Sequence, residues 1–498
     1  MRLKLLCSWS MLSLLWAANL SSAGAGSPLV NAARKSDTAT VRALLKKGID
    51  VNIRDIDGTT ALYWAAYESD SEIAELLIRA GADVKAANRY GVAPLYLACV
   101  NGNAVLIEML LKAGADPNSA GADGETMLMT ASRTGKQEAV MALLAHGANA
   151  NAKESRRGQT ALMWAAAEGH AEVVKALVEH GADIHARANG GFTPFLFAVR
   201  EGQIGAVRAL LATGADVNET LPSAASVRRR ATGGDVPDSA EAAAGPSALV
   251  VAVGNAHYEL ASVLLDAGAN PNAAAQGWTA LHQLTWVRKP GEGTNDPAPQ
   301  GSGKMDSIEI TKRLVAHGAN VNARMTKRGN AGVTDLNMIG ATPFLMAARA
   351  GDAEFMRLLA QLGADPLLPN ADNTPPLTVA AGVGTRSPGE DAGTESEALE
   401  AVKVALELGG NLDAVDNNGE TAMHGAAYKF LPSVVRFLAE KGARIEVWNK
   451  PNKSGYTPLK IAAEGFKRET NMKTSPVTAA AIREVMNGAA AAGAGQAK

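Results

Sequence analysis

The residues that could do chemistry are few and badly matched to one another. Gly301-Ser302-Gly303-Lys304-Met305 comes nearest to a motif. It approaches a phosphate loop, but position 298 is Ala where that loop needs Gly, and Met305 stands where Ser or Thr would reach magnesium. No Ser-x-x-Lys, Gly-x-Ser-x-Gly or His-Glu-x-x-His occurs. Cys7 and Cys99 are too far apart for haem attachment through Cys-x-x-Cys-His. His146, His180 and His317 each precede a glycine at an expected helix end, where the helix dipole favours a cation. His170, His180 and His185 are close in sequence, but His170 and His185 fall in different turns, which argues against zinc. No nucleophile is paired with a base, so no catalytic residue, cofactor or metal is expected.

The elements that would position any site repeat. Gly-Ala-[Asp/Asn] steps begin at Gly81, Gly114, Gly147, Gly181 and Gly214, at gaps of 33, 33, 34 and 33 residues. Such a period means stacked supersecondary units, each packed mainly on its neighbours. Within the unit from Gly58 to Asp83, Thr60 precedes Ala61-Leu62-Tyr63-Trp64-Ala65-Ala66 and reads as a helix N-cap. Thr193-Pro194, Thr342-Pro343 and Thr457-Pro458 place proline where its missing N–H does no harm. Ile73, Leu76 and Leu77 give a second helix one apolar stripe over about Ser71 to Ala80, and Gly81 ends it. Each unit is therefore expected to be helix, turn, helix and projecting hairpin-like loop.

These residues resemble the ankyrin repeat. The family pattern Gly-x-Thr-Pro-Leu-His-x-Ala-Ala is visible in Gly277-Trp278-Thr279-Ala280-Leu281-His282 and in Gly455-Tyr456-Thr457-Pro458-Leu459-Lys460-Ile461-Ala462-Ala463. The Gly-Ala-Asp-Val-Asn ending is complete at Gly214 to Asn218. The resemblance implies an all-α fold, an α-solenoid of about twelve repeats, with a start cap over Pro28 to Asn52 and an end cap over 454–487. It places His282 and His424 at the family's structural histidine position; Trp64 and Trp164 stand where the family usually has a variable or smaller residue, and read as fillers of the inter-repeat core rather than ligand contacts. Cys99 reads as a small buried side chain. Residues 488–498 are expected to be disordered.

The period breaks after Gly214. The next steps fall at Gly268, Gly318, Gly363, Gly409 and Gly442, so subtracting 33 leaves extra lengths of 21, 17, 12, 13 and 0. Regular repeats over 26–218 are thus followed by inserted repeats over 219–453. Insertions 219–245 and 325–338 fall in projecting loops, and 286–306 and 384–397 fall between the two helices of a unit. In the resembled fold these are opposite edges. The projecting insertions carry Arg228-Arg229-Arg230 and Arg324, Lys327 and Arg328, which could steer an acidic partner. The insertion at Gly384 is acidic, with Glu390, Asp391, Glu395 and Glu397.

Residues 1–25 read as a signal peptide: Arg2 and Lys4, an apolar Leu5 to Ala18, then small-residue cleavage sites. The expected location is exported, periplasmic or secreted, and the Ala/Gly richness suits a bacterial periplasm. No membrane span is expected after cleavage. A net charge of −2 argues against nucleic acid held by phosphate contacts. The expected function is a monomeric, non-catalytic scaffold for an unknown protein partner. A secreted effector acting on a host protein is an alternative, as is an enzyme with its site in the insertions. What the resemblance implies as contact positions are the residues after Ala-Ala and the loop tips: Ile56, Tyr67, Glu68, Arg89, Tyr90, Asn101, Arg133, Arg156, Arg157, Glu168, Arg200, Tyr428 and Lys429.

Overall fold

Threonine before a short apolar run starts the first helix of most units, as its chemistry demands. In the computed structural model, Thr60, Thr160, Thr193, Thr342 and Thr457 each accept a hydrogen bond from the amide three residues on. The second helices use Asp or Asn in the same way, at Asp37, Asp70, Asn103 and Asp352. Capping satisfies an amide that the helix itself cannot reach. Gly102, Gly135 and Gly169 close first helices in the left-handed conformation, which costs a side chain about 1 kcal/mol or more.

The structure describes residues 27–223, 244–290, 299, 301–328, 334–386, 388, 392–466 and 473–496. It divides into two compact units, Met1–Asp216 and Val217–Lys498. Each holds six helix pairs among the described residues. In the first unit the inner helices run from Pro28–Arg34, Ala61–Tyr67 and Pro94–Asn101 through Met127–Thr134 and Ala161–Glu168 to Pro194–Arg200. Inner helices pack on inner helices of the next pair and outer on outer, so each unit is a two-layered repeat solenoid. The core lies between the layers, where Leu62, Ile73, Leu77, Leu95, Leu106 and Leu110 are fully buried. Cys99 joins it, and burial pushes its thiol pKa up.

A second device ties the repeats together. The asparagine two residues after a ladder Asp or Asn reaches forward to the next turn. Asn118 Oδ1 accepts from Asn149 N–H at 2.8 Å while its Nδ2 donates to Gly147 O at 3.0 Å. Asn52 makes the same pair with Asp83 and Gly81, Asn151 with Asp183 and Gly181, and Asn272 with Asn320 and Gly318. The sequence separation rises from 31 to 48 residues between the Asn118 and Asn272 clamps, yet the contact is unchanged. The insertions therefore leave the stacking intact.

His282 and His424 are structural, as their position implied. Each is under 2% exposed, takes a threonine hydroxyl on Nδ1, and uses Nε2 toward the next repeat, at Ala341 O and Tyr456 O. Burial lowers both pKa values to about 4.

Two expectations need correction, and the first insertion carries a sheet that agrees with the expected hairpin-like loop. The last helix spans Pro476–Gln496, so most of the tail expected to be disordered is helical. A short antiparallel sheet pairs β1 (Thr220–Pro222) with β2 (Ala244–Ser247) at the two ends of the first insertion. The interior of that insertion, with Arg228, Arg229 and Arg230, lies outside the described residues, as does the expected signal peptide. Finally, insertions 325–338 and 384–397 do not stay on opposite edges. Thr334 and Thr385 form an antiparallel bridge and Asp335 N–H donates to Gly384 O at 2.9 Å, while Lys289 and Glu397 pair the two insertions that lie between helices. Insertions from the two ends of the inner helices meet each other.

Candidate protein-binding face

One side of an inner helix is set by three positions counted from its N-cap residue, and their cover varies: Thr59, Leu97, Thr130 and Phe197 are buried, while Trp64, Tyr67 and Trp164 are half-buried. The residue just before the cap, the fourth after it and the seventh after it face away from the outer layer. In the first unit the fourth position holds Trp64, Leu97, Thr130, Trp164 and Phe197, and the seventh holds Tyr67, Val100, Arg133, Ala167 and Arg200.

Trp64 and Trp164 are half-buried, and Trp164 packs against the apolar cluster of Met163, Ala186, Ala188 and Phe197, as a core filler would. Trp64 stacks edge-on against Tyr63 and Tyr67, and its Nε1 donates to Thr59 Oγ1 at 3.1 Å. Over these rings lie guanidinium groups. Arg34 sits 4.2 Å from the Trp64 ring, Arg133 5.0 Å from Trp164, and Arg200 4.9 and 5.0 Å from Phe192 and Phe197. Stacking of this kind contributes about 0.5–1 kcal/mol where exposed and fixes the planar donor. Each guanidinium also has a carboxylate nearby: Asp55 at 3.2 Å, Glu125 at 3.7 Å and Glu201 at 2.8 Å.

The expected contact residues of this unit are placed at the surface. Tyr67, Arg133 and Arg200 are half-buried, and Glu68, Asn101 and Glu168 are exposed at inner-helix ends. Asn101 Nδ2 donates back to Ala66 O and Tyr67 O, so it joins two repeats. The loop tips carry Ile56, 87% exposed, and Tyr90, 65% exposed, with Arg89 stacked on Tyr90. Arg156 and Arg157 are exposed on a tip whose Glu154 is buried and accepts the Arg156, Arg157 and Gln159 amides.

Tyr428 and Lys429 are not on a binding face. Tyr428 is 2% exposed; its hydroxyl donates to Glu420 Oε1 at 3.0 Å and accepts from Asn452 Nδ2 at 2.8 Å. The Lys429 ammonium donates to Ala392 O at 2.7 Å. The insertion that contains Ala392 reaches Lys429, while Tyr428 is held by Asn452 and stacks edge-on against Phe466 of the following repeat.

The same covering extends along the second unit. Leu336 and Met338 enter one apolar cluster with Met325, Met346 and Val379, against Trp278 and Trp286. Trp278, Met346, Val379 and Trp286 hold the outward-facing positions described above, so the chain fills its own inner face here. The basic and acidic residues of the insertions are used internally. Arg324 donates to Gly340 O and Pro369 O, Lys327 to Ala275 O and Arg328 to Thr334 O. Glu395 accepts the Ser433 amide, and Lys289 together with Thr394 holds the Glu397 carboxyl down at about 2. Glu390 and Asp391 lie outside the described residues.

Two remaining features resemble sites and are already occupied. The turn at Gly301 to Met305 does gather amides around an anion, but the anion is the Glu259 carboxylate, which accepts from Lys304 and Met305. A cleft of about 130 Å³ where the insertions meet is acidic, lined by Asp335, Asp372, Asp416 and Glu420 beside Lys453. Asp372 accepts from Asn337, and Asp416 from Thr374 and from the Asn418 and Glu420 amides. Among the described residues no group of His, Cys, Asp or Glu is arranged to hold a metal, and no helix is long and apolar enough to cross a membrane.

The family model for ankyrin repeats in three copies matches residues 10–88, 29–121, 71–154, 95–188, 128–220 and 392–472, and the single ankyrin repeat matches 339–371. Among solved structures, the chain is similar to the human ASB11 ankyrin repeat domain, at 24% identity over 49% of this chain and 99% of that one, with a TM-score of 0.41. No curated protein matches the chain.

Proposed function

The chain belongs to the ankyrin-repeat family, whose members are protein-interaction scaffolds, and from that premise we propose that it binds a protein partner through the inner face and loop tips of residues 27–216, without catalysing a reaction. The observation that carries this is the contrast in cover. The first unit leaves Trp64, Tyr67 and Trp164 half-buried at the surface, with arginines over the two tryptophans and Ile56 and Tyr90 at the tips, whereas in the second unit the chain's own Leu336 and Met338 pack against Trp278 and Trp286, and Met346, Val379 and Tyr428 are buried. Tryptophan, tyrosine and arginine are the types that dominate interface energy, at about 2 kcal/mol or more each at a hot spot. A face held by helix stacking is already ordered, so little freedom is lost on binding.

The exported location belongs to the same proposal. It is supported by the charged start, apolar run and small residues of positions 1–25. A monomer fits repeats that satisfy their own neighbours, and the net charge of −2 favours protein over nucleic acid.

The test is affinity purification with the full tagged chain from its native envelope, beside a chain carrying Trp64→Ala and Trp164→Ala. A protein recovered with the first and lost with the second is the expected result. Recovery of no specific protein, or equal recovery by both chains, sinks the reading. A reporter fused after Ala25 that stays in the cytosol sinks the export claim.

A further inference from the structure

We propose that the inner face of residues 27–216 takes an extended segment of its partner in which acidic side chains alternate with aliphatic ones. This rests on the partner-binding face proposed above and names the chemistry of what fills it.

The first argument is the segment that the chain seats on the equivalent face of its second unit. From Thr334 to Ile339 burial alternates: Leu336 and Met338 are buried while Asp335 and Ile339 are exposed. That is the period of an extended strand, with every second side chain inward. The inward pair, Leu336 and Met338, packs on Trp278, Met346, Val379 and Trp286. The chain itself thus shows that the surface just before the N-cap and at the fourth and seventh positions accepts aliphatic side chains spaced two residues apart.

The second argument is charge. In the first unit the same positions hold Trp64, Trp164, Phe192 and Phe197. The guanidinium groups of Arg34, Arg133 and Arg200 lie over these rings, and Trp164 and Phe192 also pack against Met163, Ala186 and Ala188. A guanidinium held over a ring keeps N–H donors at its edge, where a carboxylate can accept in the fork geometry. The carboxylates already beside them, Asp55, Glu125 and Glu201, are each partly exposed. Exposed pairs of that kind are weak, so an arriving carboxylate can share the donors or displace the partner. The arginines at the tips, Arg89, Arg156 and Arg157, extend the same preference along the loop edge. An aliphatic side chain entering between the arginines meets Trp64 or Trp164, and a neighbouring acid meets the donors above the ring.

The experiment uses the full chain and three labelled peptides of equal length: alternating Asp and Leu, alternating Lys and Leu, and alternating Asp and Ser. Anisotropy gives the affinity. The Asp-Leu peptide is expected to bind at least about tenfold more tightly than either control, with affinity falling as salt rises. Arg133→Ala with Arg200→Ala is expected to weaken it about tenfold or more. Arg133→Lys with Arg200→Lys is expected to restore little, because an ammonium does not stack or fork. A circular-dichroism melt of each variant separates lost binding from lost fold. Equal or tighter binding of the Lys-Leu peptide overturns the proposal, as does an Asp-Leu affinity untouched by folded arginine variants. If a native partner is captured by the wild-type chain and lost with Trp64→Ala and Trp164→Ala, yet the Asp-Leu peptide does not bind, this inference fails and the binding face stands. If that partner is captured equally by both chains, the face itself fails, and this inference with it.

Discussion

Residues 27–216 and the unit after Val217 carry the same inner-helix positions and treat them in opposite ways. In the first, half-buried Trp64 and Trp164 lie under arginines; in the second, Leu336 and Met338 pack against half-buried Trp278 and Trp286, the insertion around Ala392 reaches Lys429, and Tyr428 is buried against Asn452 and Phe466. Both units keep the same repeat-to-repeat asparagine contact. Insertion has therefore changed what the face is available for, while the stack beneath it is the same. A longer loop adds only about 0.6 kcal/mol of closure entropy per doubling, which the burial of two aliphatic side chains offsets.

The largest expected effect breaks this comparison at its centre. Leu336→Asp removes an aliphatic side chain from a packed cluster and leaves a carboxylate there without a built partner, so the second unit is expected to lose about 5 kcal/mol. Trp164→Asp, at a half-exposed ring, is expected to cost about 1–2 kcal/mol in the first unit. Hydrogen exchange resolves the two units separately. Unchanged protection of helices Pro343–Arg349 and Pro376–Ala380 in Leu336→Asp would show that the insertion only rests on the face.

Acid should separate the units next. His282 and His424, both in the second, are held neutral by burial, with folded pKa values of about 4 against an ordinary 6.5. As pH falls through 6.5 the unfolded chain takes up protons that the folded chain refuses. Their contribution is thus complete above 6.5 and is lost progressively toward 4, at about 2 kcal/mol each by pH 5. Lowered carboxylates such as Glu397 act in a lower window, beginning below the ordinary glutamate value of 4.5. Urea midpoints near neutrality and at about pH 5 check this, with His282→Gln and His424→Gln expected to flatten the fall. Equal loss in both units would remove the histidines as its cause.

The asparagine clamp sharpens what the units share. Asn151→Ala and Asn272→Ala each leave one amide and one carbonyl unpaired, and each is expected to cost about 1.5 kcal/mol. A clearly milder Asn272→Ala would mean that the insertions, rather than the clamp, hold the second unit's stack.

How much of this could be read in advance follows from distance along the chain. The helix pairs were legible because their causes are local: Thr60 caps the helix that starts beside it, and Gly81 ends the one before it. Arg89, Tyr90 and Arg133 were placed at the surface because each lies in or next to a regular repeat. Tyr428 and Lys429 occupy equivalent register and were misplaced, because Lys429 is tied to Ala392, 37 residues before it, and Tyr428 to Asn452 and Phe466 of the following repeat. The bridge from Thr334 to Thr385 is just as remote, and composition gave the charges of Arg324 and Lys327 without their carbonyl partners. Arg34 over Trp64 had a faint signal: it holds the seventh position of the preceding repeat, the register that Tyr67, Arg133 and Arg200 share.

The smallest effect tests the units at one shared weakness. Where sister repeats close the first helix with glycine, Ser36 and Phe430 hold φ values of 53° and 61°, which side chains adopt at a cost. The Ser36 side chain is exposed, so Ser36→Gly relieves the backbone and gives up little. The gain is reduced by the extra freedom glycine has when unfolded, leaving about 0.5 kcal/mol. Phe430 is half-buried between the covered helix Ala422–Tyr428 and Pro432–Glu440, so Phe430→Gly trades the same relief for lost apolar contact and is expected to be destabilising. Opposite signs in paired denaturation curves would show that the second unit keeps a strained residue for its packing. A gain from both substitutions would mean that Phe430 is carried without that use, and that the cover over this end of the face is looser than its burial implies.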